Sequence, residues 1–443
     1  PRVALRHLLN EANGRDLLIV DEAHDLPERA RGALSPALEL ARLEALGAAL
    51  EAQIEPAYAS AGALLREVAS HCSDVAARLA EERESLPPWV EPAARGFWEP
   101  IAVRAALAQS ETQALLNHAG PRDARLAPRR EGGDSRLRDP VQSALADLRG
   151  FASAADTDPD QFAALWSPER AALLCLDPAP WVGARVRAFH AALLMSATLA
   201  PLEHHARLLG VAGPRSLSLD LPCPFPRENR LLVGSTAVDT RFRVRSEHAA
   251  EIARTIARCA ATRRGNWLAF FPSFAFRDEV VAKLPAGELR VILQLPGAPV
   301  EPILARLRAN RGETLLVCGV HGGVLAEGVD YAGELAIGAF VVGPGLPKLD
   351  LERELVRAHF ERELGAGFEY AYLVPGLARA VQAGGRVLRG PDDVGAIVLL
   401  DRRFAEPEYF DRLPAWWRDE IVFTSDPVPA LQAFWRGAPA ARV

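Results

Sequence analysis

The sequence predicts an α/β protein, with parallel-sheet domains interrupted by a helical insertion, and three observations carry that expectation. Two short apolar runs each end in chemically active polar residues: Leu17 to Val20 before Asp21, Glu22, Ala23 and His24, and Ala191 to Leu194 before Met195, Ser196, Ala197, Thr198 and Leu199. Such runs are too short for a typical helix and read as buried parallel strands. From Leu231 onward, strand and helix patterns alternate regularly. Between these regions, from about Pro27 to Pro180, Ala, Leu, Glu and Arg dominate with few β-branched residues, which is helical composition.

A chain of 443 residues exceeds one ordinary core and predicts two or three domains. A net charge of -6 argues against a globally basic nucleic-acid coat, while leaving room for a local arginine-lined groove. Lysine occurs only at 283 and 348, so the basic charge is nearly all arginine. No apolar run reaches the roughly 18 residues of a membrane span. The start, Pro1 then Arg2, has neither an initiator Met nor a signal peptide's apolar core, and the expectation is a chain cut from something longer. Cys72, Cys175, Cys223, Cys259 and Cys318 are too scattered for a metal cluster and suit free thiols in a reducing, cytoplasmic compartment.

Taken in order, Val3 to Leu9 reads as a short amphipathic helix broken by Asn13 and Gly14, with the first strand following directly. In the insertion, Leu38 to Ile54, Ala63 to Glu84, Ile101 to Asn117 and Val141 to Ala152 carry apolar residues at helical spacing. Between Gly120 and Pro140, Arg122, Arg125, Arg129, Arg130, Arg136 and Arg138 cluster among acidic residues, which favours a solvated loop over a nucleic-acid contact. Pro201 to Leu209 reads as a helix, and the proline-rich stretch from Leu221 to Pro226 as a domain boundary. Strands are then expected at 231–233, 267–271, 290–293, 315–319, 339–342 and 395–400, with helices at 246–261, 274–284 and 300–310. The first of these strands is not followed by Gly-x-Gly-x-x-Gly, which disfavours a dinucleotide fold.

Adjacent carboxylates at a strand's C-terminal end suit a Mg-nucleotide site, with Asp21 holding hydrated Mg2+, Glu22 polarising the attacking water and His24 at a domain seam. Four letters alone fit an acidic strand-to-helix turn at least as well. Ser196 and Thr198 at the next strand end could bond both that site and a neighbouring element, or form only a helix N-cap. The stretch from His321 to Asp330 offers glycines for close backbone approach to phosphate or sugar, and reads equally as a flexible loop. In Gln382 to Arg389, Arg386 and Arg389 are three apart with Gln382 one turn earlier, a spacing suited to arginine fingers on a γ-phosphate. A solvated basic helix end is the weaker alternative there, because paired glycines at a helix start cost stability.

The order LLIVDEAH, LLMSATL, WLAFFPSF, LAEGVDYAG and QAGGRVLRG followed by DDVGAIVLLDRRF resembles the DinG/XPD family of superfamily 2 DNA helicases. That resemblance spans nearly the whole chain and implies two RecA-like P-loop NTPase motor domains with an all-α arch inserted after the DEAH strand. It implies ATP and Mg2+ as cofactors and 5′-to-3′ movement on single-stranded DNA, with forked or tailed duplexes as substrates. It assigns Asp21 and Glu22 to Mg-ATP, Ser196 and Thr198 to coupling, and Gln382, Arg386 and Arg389 to the γ-phosphate. Ser273, Glu327, Gly328 and Asp330 would lie at the DNA and nucleotide seam.

Two family features do not appear in this sequence. Neither Lys283, after Ala282, nor Lys348, after Pro347, fits a Walker A lysine, and the four clustered cysteines of the family's iron-sulfur domain are missing. The Gly343-Pro344-Gly345-Leu346-Pro347 turn also departs from the family's shorter Gly-Leu-Pro. The expected organisation is residues 1–26 and 181–225 from the first motor domain, 27–180 as the arch and 226–443 as the second motor domain. By itself the chain is expected to lack ATPase activity. Two rival classes stay open: a DNA-binding or partner-binding module that kept the fold without the motor, and the helicase part of a helicase-nuclease.

Overall fold

The structure, a computed structural model, describes residues 16–53, 56–92, 95–118, 138–155, 159–287, 289–329, 331 and 333–437. The helix expected at 3–9, the arginine-rich stretch after Gly120 and Asp330 lie outside the described residues. The chain forms two compact units, one of residues 25–191 with 1–16 and 208–211, the other of 17–24, 192–207 and 212–443.

In the first unit, the helical periodicity is realised as helices Leu40–Glu51, Pro56–Glu82, Arg95–His118 and Arg138–Ala155. The first two approach closely at a glycine pair: a Cβ on Gly62 would stand 2.5 Å from the Gly47 carbonyl oxygen. Any side chain there would force the helices apart. The expectation of an all-helical insertion is incomplete. A four-stranded antiparallel sheet, in the order β2 (Ala37–Glu39), β5 (Arg170–Cys175), β4 (Phe162–Trp166) and β3 (Trp89–Pro92), completes the unit. Its inner strands, FAALW and RAALLC, contain no β-branched residue, so composition hid them. What makes them strands is the tight reversal between them, where the Ser167 hydroxyl accepts from Arg170 N at 3.0 Å, and burial of both faces.

The second unit is built on a seven-stranded sheet ordered β13 (Val422–Thr424), β7 (Arg230–Ser235), β12 (Gly395–Leu400), β11 (Gly338–Val342), β8 (Gly265–Phe271), β10 (Thr314–Val320) and β9 (Leu289–Leu293). All its pairings are parallel. Residues of β11 and β12 are buried throughout, as expected of central parallel strands with helices on both faces, whereas β9 at the edge is half-exposed. Helices Arg245–Ala260 and Val428–Gly437 contribute to the core on one side of the sheet and Val374–Gly384 to the core on the other.

One strand departs from expectation. β1 (Leu17–Val20) pairs only with β6 (Ala191–Leu194) among the described residues, and Leu17 and Ile19 are 69% and 66% exposed rather than buried. The apolar run did specify a strand, but nothing among the described residues covers that face.

The hydrophobic core of the first unit, from Leu38 to Cys175, shares no residue with the two cores of the second. Replacing residues 27–180 by a short linker is therefore expected to leave the thermal unfolding of the sheet of β7 to β13 essentially unchanged. Calorimetry checks this; loss of that transition on deletion would contradict it.

A buried histidine pair also gives the second unit a pH signature. His204 and His205, on the helix Leu202–Leu208, are both buried, and the His204 ring stacks on Tyr370 with centroids 4.1 Å apart. Burial pushes both below the ordinary histidine range, His205 to about 3. His204 faces Glu369 at 3.5 Å, and His204 together with Arg412 pulls that carboxylate down to about 2. The unfolded histidines take up protons below about pH 6.5 that the folded ones refuse. Stability is thus full above that pH and is expected to fall on acidification by up to about 1.4 kcal/mol per pH unit for each histidine. Urea unfolding between pH 7 and 5 should show this slope, and His205→Gln should flatten it. PH-independent stability across that range would contradict the reading.

Candidate active site

The DEAH residues leave β1 through a strained turn. Glu22 has φ 50, in the left-handed region that few non-glycine residues adopt. Such strain persists only where the surroundings fix it. Here Met195 N donates to Val20 O and Ala23 N donates to Met195 O, both at 3.0 Å, so the end of β6 holds the turn from both sides.

Side chains complete the arrangement. Ser196 Oγ donates to Glu22 Oε2 at 2.8 Å and lies 2.8 Å from His24 Nδ1, while His24 Nδ1 is 3.2 Å from the same Glu22 oxygen. Thr198 N donates to Ser196 Oγ at 3.1 Å, and the Thr198 hydroxyl is also 3.1 Å away. With its proton committed to Glu22 and one lone pair to Thr198 N, Ser196 has a single acceptor site left for His24 Nδ1 or the Thr198 hydroxyl. One carboxylate oxygen of Glu22 is thereby fixed. The side chain is still 55% exposed, and no hydrogen bond holds Oε1 among the described residues. Asp21 is exposed, with Oδ1 accepting from Glu22 N at 2.9 Å.

The structure brings Asp21, Glu22, His24, Ser196 and Thr198 together, with the arginine segment in the same compact unit. Arg386 is 6% exposed; its Nε donates to Ala326 O at 2.5 Å and its Nη1 to Val329 O at 2.8 Å. Burial and the nearby Arg389 charge lower its pKa, opposed by Tyr331, Glu22 and Glu327. Arg386 therefore ties the 385–387 turn to the loop around Gly328 and lies within electrostatic reach of Glu22. Gln382, on the helix Val374–Gly384, is half-buried.

Arg389 does not share a helical face with Arg386. The helix ends at Gly384, a 3-10 turn covers Gly385–Val387, and Leu388 is extended, so Arg389 is exposed with its N–H donating to Asp393 Oδ2 at 2.7 Å. The paired glycines at 384 and 385 end the helix rather than start one. Glu327 and Gly328 are exposed at the end of the short helix Val324–Glu327. Ser273 caps the helix Phe274–Val281, accepting from Phe276 N at 3.3 Å.

The sequence reading assigned no role to Asp401. Fully buried after β12, it accepts from Thr240 N at 2.9 Å, Arg403 N at 2.8 Å and Arg403 Nη2 at 2.9 Å. The signal was present as Asp-Arg-Arg directly after a buried strand, but it reads as a surface charge run until Thr240 supplies the partner. Among the described residues no cluster of three or more His, Cys, Asp or Glu could hold a metal ion, and no helix is long and apolar enough to cross a membrane. A Mg2+ carried by a nucleotide needs few protein ligands, and an exposed carboxylate such as that of Asp21 suits one.

Residues 256–420 match the helicase C-terminal domain family. The XPD helicase subunit of general transcription and DNA repair factor IIH from Schizosaccharomyces pombe is 25% identical over 268 residues, covering 56% of this chain and 34% of that protein. The corresponding XPD/RAD3 subunit of Saccharomyces cerevisiae is 26% identical over 305 residues, covering 62% and 39%. The chain thus carries a helicase C-terminal domain and is similar to XPD-type helicases. The chain spans little more than a third of the length of those two relatives. Among solved structures, S. tokodaii Xpd4 has the same fold, with TM-score 0.56 and 16% identity over 92% of this chain and 75% of its own.

Proposed function

We propose that the full-length protein is an ATP-dependent helicase that moves 5′ to 3′ on single-stranded DNA and unwinds forked or tailed duplexes in DNA repair or replication. The observation that supports this best is the single hydroxyl of Ser196, which bonds the exposed carboxylate of Glu22 and lies within hydrogen-bond distance of His24. A general base needs a fixed carboxylate with one oxygen free, and Glu22 has both.

In this reading, residues 17–24 and 192–207 belong to the first motor domain, and the exposed Leu17, Ile19, Leu193 and Met195 meet its remaining strands. Asp21 holds the Mg2+ of Mg-ATP, which supplies charge neutralisation on the phosphates. Glu22 Oε1 accepts a proton from the attacking water, while Ser196 and His24 keep Oε2 from rotating toward it. Arg386 stabilises the charge that develops on the γ-phosphate, with Gln382 and Arg389 beside it. Thr198, which donates its N–H to Ser196, couples the grip on Glu22 to DNA binding. Ser273, Glu327 and Gly328 are assigned to the seam between DNA and nucleotide, as is Asp330, which lies outside the described residues.

The test is ATP hydrolysis by the purified full-length protein with and without single-stranded DNA. Turnover is expected to rise when DNA is added. Turnover indifferent to DNA, or none, would favour a binding module that kept the fold without the motor.

A further inference from the structure

The loop after β7 carries a feature that the nucleotide site does not use. Phe242 is 81% exposed, in the run Asp239-Thr240-Arg241-Phe242-Arg243-Val244-Arg245. The Arg245 guanidinium lies over its ring at 4.7 Å from the centroid and also 4.9 Å from the buried Phe276 ring. The arginine thus contacts both aromatics, and Phe242 remains largely open to solvent.

The base of the loop is rigid. Thr240 N donates to Asp401, Arg402 N donates to Val238 O, and Arg241 is neutralised by Asp239 at 2.7 Å and Glu406 at 2.6 Å. The adjacent Arg243 is exposed and makes no ion pair among the described residues. Thr240 also packs on the turn after β11, where a Cβ on Gly343 would stand 2.4 Å from its hydroxyl oxygen and 3.6 Å from Pro272, beside Ser273. The loop therefore occupies the carboxyl edge of the parallel sheet, the edge that holds ligands in open α/β sheets.

We infer that residues 239–245 form a stacking platform for single-stranded nucleic acid: one base lies on the exposed ring of Phe242, and Arg243 contacts a neighbouring phosphate. This rests on the helicase reading above. An exposed aromatic backed by a fixed guanidinium suits a base of any identity, because every base has a π-face, and a free arginine one residue away suits the backbone.

Anisotropy of a labelled oligothymidine with the 443-residue chain tests this, alongside a strand of the same length and charge with abasic sites. Phe242→Ala is expected to weaken oligothymidine binding about tenfold while sparing the abasic strand, and Phe242→Trp to restore it. Arg243→Gln should weaken both strands alike and lower the slope of log affinity against log salt by about 0.7. Phe242→Ala binding like wild type, or losing equally on both strands, would overturn the platform and leave the helicase reading standing. An unchanged salt slope would remove Arg243 from the backbone. A wild-type chain that binds neither strand would overturn the platform, while the DNA-stimulated turnover of the full-length protein tests the helicase reading separately.

Discussion

Glu22→Gln in the full-length protein is expected to lower DNA-stimulated ATP turnover by about a hundred- to ten-thousandfold, the range general-base catalysis supplies, with nucleotide affinity nearly unchanged. The amide keeps an oxygen that can accept from Ser196, and it replaces one unbranched side chain by another at the same strained φ of 50. The local fold should therefore survive while proton acceptance is lost. ATP should still bind, because the phosphates are not held by Glu22, and the variant should remain trapped with nucleotide on DNA. Near-normal DNA-stimulated turnover would remove Glu22 from the chemistry, whereas a matching loss of affinity and melting temperature would make it a structural turn residue.

Arg386→Ala is expected to have two effects, and the structure is what separates them. As a γ-phosphate arginine its removal should cost on the order of a thousandfold or more in turnover. It also leaves the buried carbonyls of Ala326 and Val329 without their donor, which should cost about 2 to 3 kcal/mol of stability in the second unit. Activity must therefore be measured well below the lowered melting temperature. Arg386→Lys keeps the charge but lacks the planar fork that reaches both carbonyls, so it should recover part of the stability and little of the turnover. Turnover that falls only in proportion to the folded fraction would mark Arg386 as a structural tie alone. Arg389→Ala, at an exposed position, should leave the melting temperature within a degree or so of wild type.

The sequence was most legible where burial and periodicity agreed. The runs around Trp267, Leu316, Val341 and Val398 had to be central parallel strands, and β8, β10, β11 and β12 lie within two residues of the expected bounds. It was least legible where the partner is remote in sequence. Nothing in FAALW or RAALLC distinguishes an Ala-rich strand from a helical turn until the two pair with each other. The depth of Arg386 was hidden for a similar reason: its acceptors lie 60 and 57 residues away, on a glycine loop that reads as flexible. Arg389 was misplaced because Gly384 and Gly385 were read as a helix start when they are its end. The exposed face of β1 reflects what flanks the strand, which four apolar letters cannot specify.

The motor is tested most directly by strand displacement with the full-length protein on duplexes bearing a single-stranded tail at either end. ATP-dependent displacement of the 5′-tailed duplex, little of the 3′-tailed one, and none by Glu22→Gln is the predicted result. Displacement that proceeds without ATP, prefers the 3′ tail, or survives Glu22→Gln would contradict it.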